Sequence, residues 1–107
     1  MQIRMKQGEA KVLRFDVTAG GVAADCSAAV ATFTVKAQNG DDEVVFTKLE
    51  EHLDLAAAAA GIIRVPLLKE DTNIEPGLYV GELRLFFSEQ SIDKSEDIYI
   101  EITRAVA

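Results

Sequence analysis

Side chains able to do chemistry are sparse in this chain. His52 is the only histidine in 107 residues, and Cys26 is the only cysteine. A lone imidazole becomes a general base only where the fold brings a nucleophile or a carboxylate to it. Glu50, Glu51 and Asp54 are its neighbours in sequence alone, so His52 reads as a solvated surface residue. Cys26 lies in Ala-Ala-Asp-Cys-Ser-Ala, without a CxxC partner or zinc spacing. It reads as a small, inert core residue of a chain made in a reducing compartment. The chain holds no G-x-S-x-G, H-E-x-x-H or P-loop pattern. Acidic clusters occur at Asp41-Asp42-Glu43, Glu50-Glu51, Glu70-Asp71 and Ser95-Glu96-Asp97. Calcium takes roughly six to eight oxygen ligands. Asp41-Asp42-Glu43 beside Asn39 comes nearest to supplying them, but without a D-x-D-x-D-G loop it reads as a solvated acidic turn. Sugar stacking has little to draw on, with no Trp, two Tyr and five Phe. No catalytic residue, cofactor or metal ligand is expected, and the chain reads as a non-enzyme.

Charge narrows the partners. There are 11 Lys and Arg against 18 Asp and Glu, a formal charge of −7. Nucleic-acid phosphates select basic stripes, whereas Lys6, Lys11, Arg14, Lys36 and Arg64 are scattered among acids; no nucleic-acid partner is expected. No apolar run approaches the roughly 18 residues of a membrane span, so no membrane partner is expected either. The opening MQIRMKQGEAK is polar and alternating, which predicts cytoplasmic synthesis without a signal peptide. With 49% apolar and 27% charged residues, the composition fits one folded domain over 1–107.

The elements that would position any site follow from a period of two. One phase carries Leu13, Phe15 and Val17; Ala31, Phe33 and Val35; Phe46; Ile63, Val65 and Leu67; Tyr79, Leu83 and Leu85; and Ile98, Ile100 and Ile102. These are the predicted core, since alternation puts one face inward and the other in water. Half-solvated strands suit antiparallel sheets. Strands are predicted near 2–6, 10–18, 29–37, 43–48, 61–67, 78–87 and 96–103, with a short one possible by pattern at 51–55. Asn39-Gly40 is a hairpin signal. Glu75-Pro76-Gly77-Leu78 fits a type II turn. Ser88-Glu89-Gln90-Ser91 breaks the long strand. Pro66 cannot donate to a ladder and predicts an edge or a bulge. Residues 49–60 are rich in helix formers, so a short helical turn is predicted within 54–60, capped by Gly61. The fold class is all-β: an antiparallel immunoglobulin-like β-sandwich of about seven strands.

A family resemblance adds a function. Asp71-Thr72, the aliphatic Ile74, and Pro76-Gly77-Leu78-Tyr79 open a long strand. Ala31-Thr32-Phe33-Thr34-Val35-Lys36 precedes Asn39-Gly40. An Ala-rich stretch leads through Gly61 into Ile62-Ile63-Arg64-Val65, and Asp97-Ile98-Tyr99-Ile100-Glu101-Ile102 closes the chain. This order, over roughly 10–103, resembles the immunoglobulin-like domains of tailed-phage baseplate and tail proteins, the N-terminal domains of baseplate upper proteins in particular. The resemblance implies a structural role in a virion or prophage particle and no catalytic residues.

Two local expectations follow. Tyr79 after Pro76-Gly77 predicts a tyrosine corner, its hydroxyl returning to backbone within 70–74. The strand at 78–87 carries bulky apolar residues in both phases: Val80 and Phe86 stand opposite Leu83 and Leu85. A water-facing phase is usually polar, so Val80 and Phe86 are the candidate protein–protein contact. The expected partners are other structural proteins or a second copy of the chain, giving a homo-oligomer. The alternative is an immunoglobulin-like binding module for carbohydrate or cell-surface adhesion.

Overall fold

The structure is a computed structural model that describes the backbone of residues 2–38, 44–88, 91–94 and 97–105, and side chains over 2–38, 44–87 and 97–105. Its strands are β1 (Gln2–Lys6), β2 (Lys11–Asp16), β3 (Thr18–Ala19), β4 (Val22–Ala23), β5 (Val30–Ala37), β6 (Val44–Lys48), β7 (Ile62–Leu67), β8 (Gly77–Ser88), β9 (Ser91–Lys94) and β10 (Ile98–Thr103). A four-residue helix, α1 (Lys69–Thr72), joins β7 to β8. The large sheet runs β1-β10-β8-β5-β6, with β9 also paired to β8. The facing sheet is β2-β7, extended by an isolated bridge from Asp54 to Arg64. This is an all-β, immunoglobulin-like sandwich.

Each predicted run of alternation forms a strand, because its apolar phase can be buried only by pairing and stacking. The small sheet turns Leu13, Ile63, Val65 and Leu67 inward, against Ala31, Phe33, Val35, Leu83, Leu85, Ile98 and Ile100 of the large one. Of the predicted core, Phe15, Val17 and Phe46 are only partly buried, packed at its margin. Met5, Cys26, Ala29 and Ala58 join the core without any alternation to announce them. Pro66 lies opposite Val12 in the two-stranded sheet, where a missing donor is tolerated.

Phe33 sits at the centre, with no exposed surface. Its ring lies 5.9 Å from that of Phe15, tilted by 54°, and so joins the two sheets. The ring also lies over Gly81. A Cβ on that residue would come within 2.6 Å of Phe33 Cζ, a distance that no packed carbon pair holds. Gly81 is thus the hole into which Phe33 fits.

Several expectations are corrected. The large sheet is not wholly antiparallel: β1 runs parallel to β10, in register from Gln2 opposite Tyr99 to Lys6 opposite Thr103. Chain-adjacent strands favour antiparallel pairing, but β1 and β10 come from opposite ends of the chain, and Met5 gains its burial from this placement. Residues 18–23 fold into the small hairpin β3-β4 about Gly20-Gly21 rather than ending a strand at 18. The stretch at 51–55 is no strand; Glu50–His52 is a 3₁₀ turn and only Asp54 makes a bridge. The predicted turn within 54–60 is the 3₁₀ turn Ala58–Ala60, one of three short helical pieces. Gly61 ends it at φ 78°, where a Cβ would strike the Val17 carbonyl oxygen at 2.6 Å. Gly77 does not take the positive φ of a type II turn; it opens β8. Ladder bonding resumes at Ser91 after the predicted break. The Asn39-Gly40 turn lies outside the described residues, although the strands it joins, β5 and β6, pair antiparallel.

The corner between β7 and β8 is closed by side chains. Tyr79 is buried, and its hydroxyl donates to the Glu75 carbonyl oxygen at 2.6 Å. The acceptor lies one residue beyond the predicted window, because Pro76 directs the chain back over the ring from Glu75. Burial, aided by the nearby Glu75 carboxylate, raises the Tyr79 phenol above its ordinary value of 10.0.

Truncating Phe33 to Ala is expected to lower stability by about 3–5 kcal/mol in urea or thermal unfolding; a loss under about 1 kcal/mol would contradict the central position of the ring. Tyr79→Phe is expected to remove about 1 kcal/mol. The tyrosine's contribution is fully present below the ordinary phenol value. It is lost as pH rises through the raised folded value, because the unfolded chain ionises first. A pH series of unfolding midpoints should therefore fall less steeply above pH 10.0 in Tyr79→Phe than in the parent.

Candidate interaction surface

The described residues singled out for chemistry lie apart from one another. His52 ends an exposed 3₁₀ turn, its Nε2 3.8 Å from Glu51 Oε1. Asp54 turns back to accept the Ala56 backbone N–H at 3.1 Å. Cys26 is buried, with Sγ 3.7 Å from the Ala24 carbonyl oxygen. Asp25 accepts both the hydroxyl and the backbone N–H of Ser27, at 2.6 and 2.9 Å, and these bonds hold its carboxyl below the ordinary value. Among the described residues, no group of three or more His, Cys, Asp or Glu could hold a metal ion. The calcium candidate Asp41-Asp42-Glu43, with Asn39, lies outside the described residues, as do Ser95 and Glu96.

Glu70 and Asp71, read from sequence as a solvated acidic pair, divide in role. Asp71 meets Lys48 Nζ at 2.5 Å through the oxygen that also accepts the Leu68 backbone N–H at 2.7 Å. Lys48 is 5% exposed, so this is a buried ion pair. It ties the edge strand β6 to α1 of the β7–β8 corner. Sequence reasoning missed it because Lys48 falls in the inward phase, opposite Phe33, where its position alone predicts an apolar residue. Removing one partner of a buried pair strands the other charge. Asp71→Asn is therefore expected to cost about 3–5 kcal/mol in chemical denaturation. The exposed pair Arg14–Asp16 provides the contrast, since Asp16→Asn should cost under about 1 kcal/mol.

What remains is a surface, the outer face of the large sheet. Val80 and Phe86 both lie on it, Val80 half-buried and Phe86 38% exposed. Register brings neighbours that the sequence does not name. Val30 stands opposite Phe86. Tyr99 and Lys36 flank Val80 on either side, and Val44 pairs with Lys36. Of the nine large apolar residues that are exposed among those described, Val30, Val44, Leu78, Phe86 and Tyr99 are on this face. Between its two apolar ends is a shallow polar depression of about 270 Å³, lined by Thr32, Thr34, Glu82, Arg84 and Asp97 with Lys36 and Val80 at its margin. Arg4 pairs with Glu101 at 2.8 Å toward the β1 edge. Chemically, the face can bury aliphatic and aromatic contacts around a few charges. A small void between the sheets, about 10 Å³ and apolar, is at the limit of a single water.

Among the described residues, no helix is long and apolar enough to cross a membrane. Compared with known proteins, the chain matches no family model and no curated sequence.

Proposed function

We propose that this protein is a non-catalytic structural module of a phage or prophage tail or baseplate, acting through protein–protein contacts on the outer face of the large sheet. The observation that carries the reading is the concentration of exposed apolar side chains on that face: Val30, Val44, Leu78, Phe86 and Tyr99. A solvated sheet face is ordinarily polar, and exposed apolar residues gathered at the two ends of this one suit the docking of another molecule. The order of sequence features supports the choice of a particle-assembly module over other uses of the sandwich. The protein is made in the cytoplasm and incorporated into the particle. A second reading, a binding module for carbohydrate or cell-surface adhesion, is favoured by one feature. The depression offers the Glu82 and Asp97 carboxylates beside the Thr32 and Thr34 hydroxyls.

The test uses purified products of the adjacent genes and calorimetric titration against the wild-type chain and Phe86→Ser. Phe86 lies outside the inward core, 38% exposed and paired with Val30, so its replacement should cost about 1–2 kcal/mol and leave the chain folded by circular dichroism. Binding by the wild type and its loss in Phe86→Ser are the expected outcome. Binding of an oligosaccharide panel, abolished by Glu82→Gln and Asp97→Asn but not by Phe86→Ser, would replace this reading with the second.

A further inference from the structure

The four central outward residues of β8 read Val80, Glu82, Arg84, Phe86: apolar, acidic, basic, apolar. Such a series is its own complement when turned end for end. A two-fold axis lying in the plane of the face, across the strand and midway between Glu82 and Arg84, sets Glu82 of one copy against Arg84 of the other, and the reverse. The same operation sets Val80 against Phe86, twice. On the neighbouring strand β5 it brings Thr34 onto Thr32 and the aliphatic stem of Lys36 onto Val30. These matches are consistent with the β8 pattern because β5 and β8 are paired in register, Val30 opposite Phe86 and Lys36 opposite Val80. Self-complementarity of this kind is what a two-fold interface requires, residue i meeting j and j meeting i.

We infer that the outer face of the large sheet docks on the same face of a second copy, forming a two-fold dimer centred on reciprocal Glu82–Arg84 pairs. Three observations favour this occupant. Neither Glu82 nor Arg84 has an ion-pair partner among the described residues of its own chain, so both charges are available. Among the described residues the face is nearly neutral, Arg4, Lys6, Lys36 and Arg84 standing against Glu82, Asp97 and Glu101, although the chain as a whole carries −7. Two copies of this acidic protein therefore repel least on this side. The overlap suits a weak dimer. Under this operation β5, β8 and the β10–β9 side face their counterparts, and three strands at about 4.8 Å by nine residues at about 3.3 Å give about 430 Å² per copy, or about 860 Å² in all, in the range of small, transient interfaces. Two twisted sheets stack face to face with their strands aligned to about 30°, which keeps the central pairs in contact. The inference rests on the assembly reading above and names the partner of that same face.

Sedimentation over a concentration series tests it, using the wild type, Glu82→Arg, Arg84→Glu, the double variant, and an equimolar mixture of the two single variants. The wild type is expected to rise from 11.6 kDa toward twice that mass. Each single variant puts like charges face to face and should remain at monomer mass. The double variant restores both pairs, and so does the mixture, in which the acidic variant meets the basic one; both should again rise. Circular dichroism monitors folding, and Glu82→Gln with Arg84→Gln provides a milder pair that should weaken the dimer without repulsion. Dimers that survive both charge reversals, or a mixture that stays monomeric while the wild type dimerises, would overturn the two-fold arrangement. A wild type that is monomeric throughout yet binds an adjacent-gene product through Phe86 overturns the second copy alone and leaves the assembly reading standing. A monomer with no Phe86-dependent binding overturns both.

Discussion

The ring of Phe33 occupies the space that a side chain at residue 81 would fill, and it reaches across the sandwich to Phe15. Much of the architecture depends on that fit. Because the ring comes from β5 and the hole from β8, the two strands are held in one register, Phe33 opposite Leu83 and Val35 opposite Gly81. A slip by one residue would turn the Phe33 phase into water and bring Thr32 and Thr34 inside. The contact to Phe15 then sets the small sheet over the same point. A ring with no exposed surface is worth several kcal/mol of burial, against the modest net stability of a domain this size.

The end of the sandwich at the β7–β8 corner is held differently, by polar contacts that packing has enclosed. Tyr79 hydrogen-bonds the backbone at Glu75, Asp71 binds Lys48 and the Leu68 N–H, and Thr72 donates to the Glu9 carbonyl oxygen at 2.7 Å. These bonds join the corner to β6 on one side and to the β1–β2 connection on the other. Among the described residues no buried side-chain nitrogen or oxygen lacks a partner, so the enclosed polar groups avoid the penalty of an unmade bond. The ion pair also explains how a lysine can stand in an inward phase: its charge is met where its stem crosses the sheet edge.

The outer face follows from the same register. Once odd residues of β8 point inward, Val80, Glu82, Arg84 and Phe86 must point outward together. The pairing that buries Phe33 also places Val30 beside Phe86 and Lys36 beside Val80. Core packing thus decides which residues share this surface, apolar at both ends and charged in the middle, while leaving their identities open.

Much of this was legible in the residues themselves. Alternation marks β2, β5, β7, β8 and β10 because a half-buried strand must repeat every two residues, and the odd phase of β8 puts Val80 and Phe86 together on its outer side. Gly61 announces the end of its turn through the conformation that only glycine adopts freely. The parallel pairing of β1 with β10, the burial of Lys48 and the company of Tyr99, Val30 and Val44 around the candidate residues were not legible. Each depends on segments far apart in the chain, and local pattern encodes which side of a strand is apolar but not which strand lies next to it. The amino-acid sequence by itself determined the long alternating strands and their apolar faces, and it carries no recognisable catalytic motif. Tertiary structure alone decided which strands are neighbours, since that choice is made by long-range packing, by one ring finding one glycine, and leaves no period in the sequence.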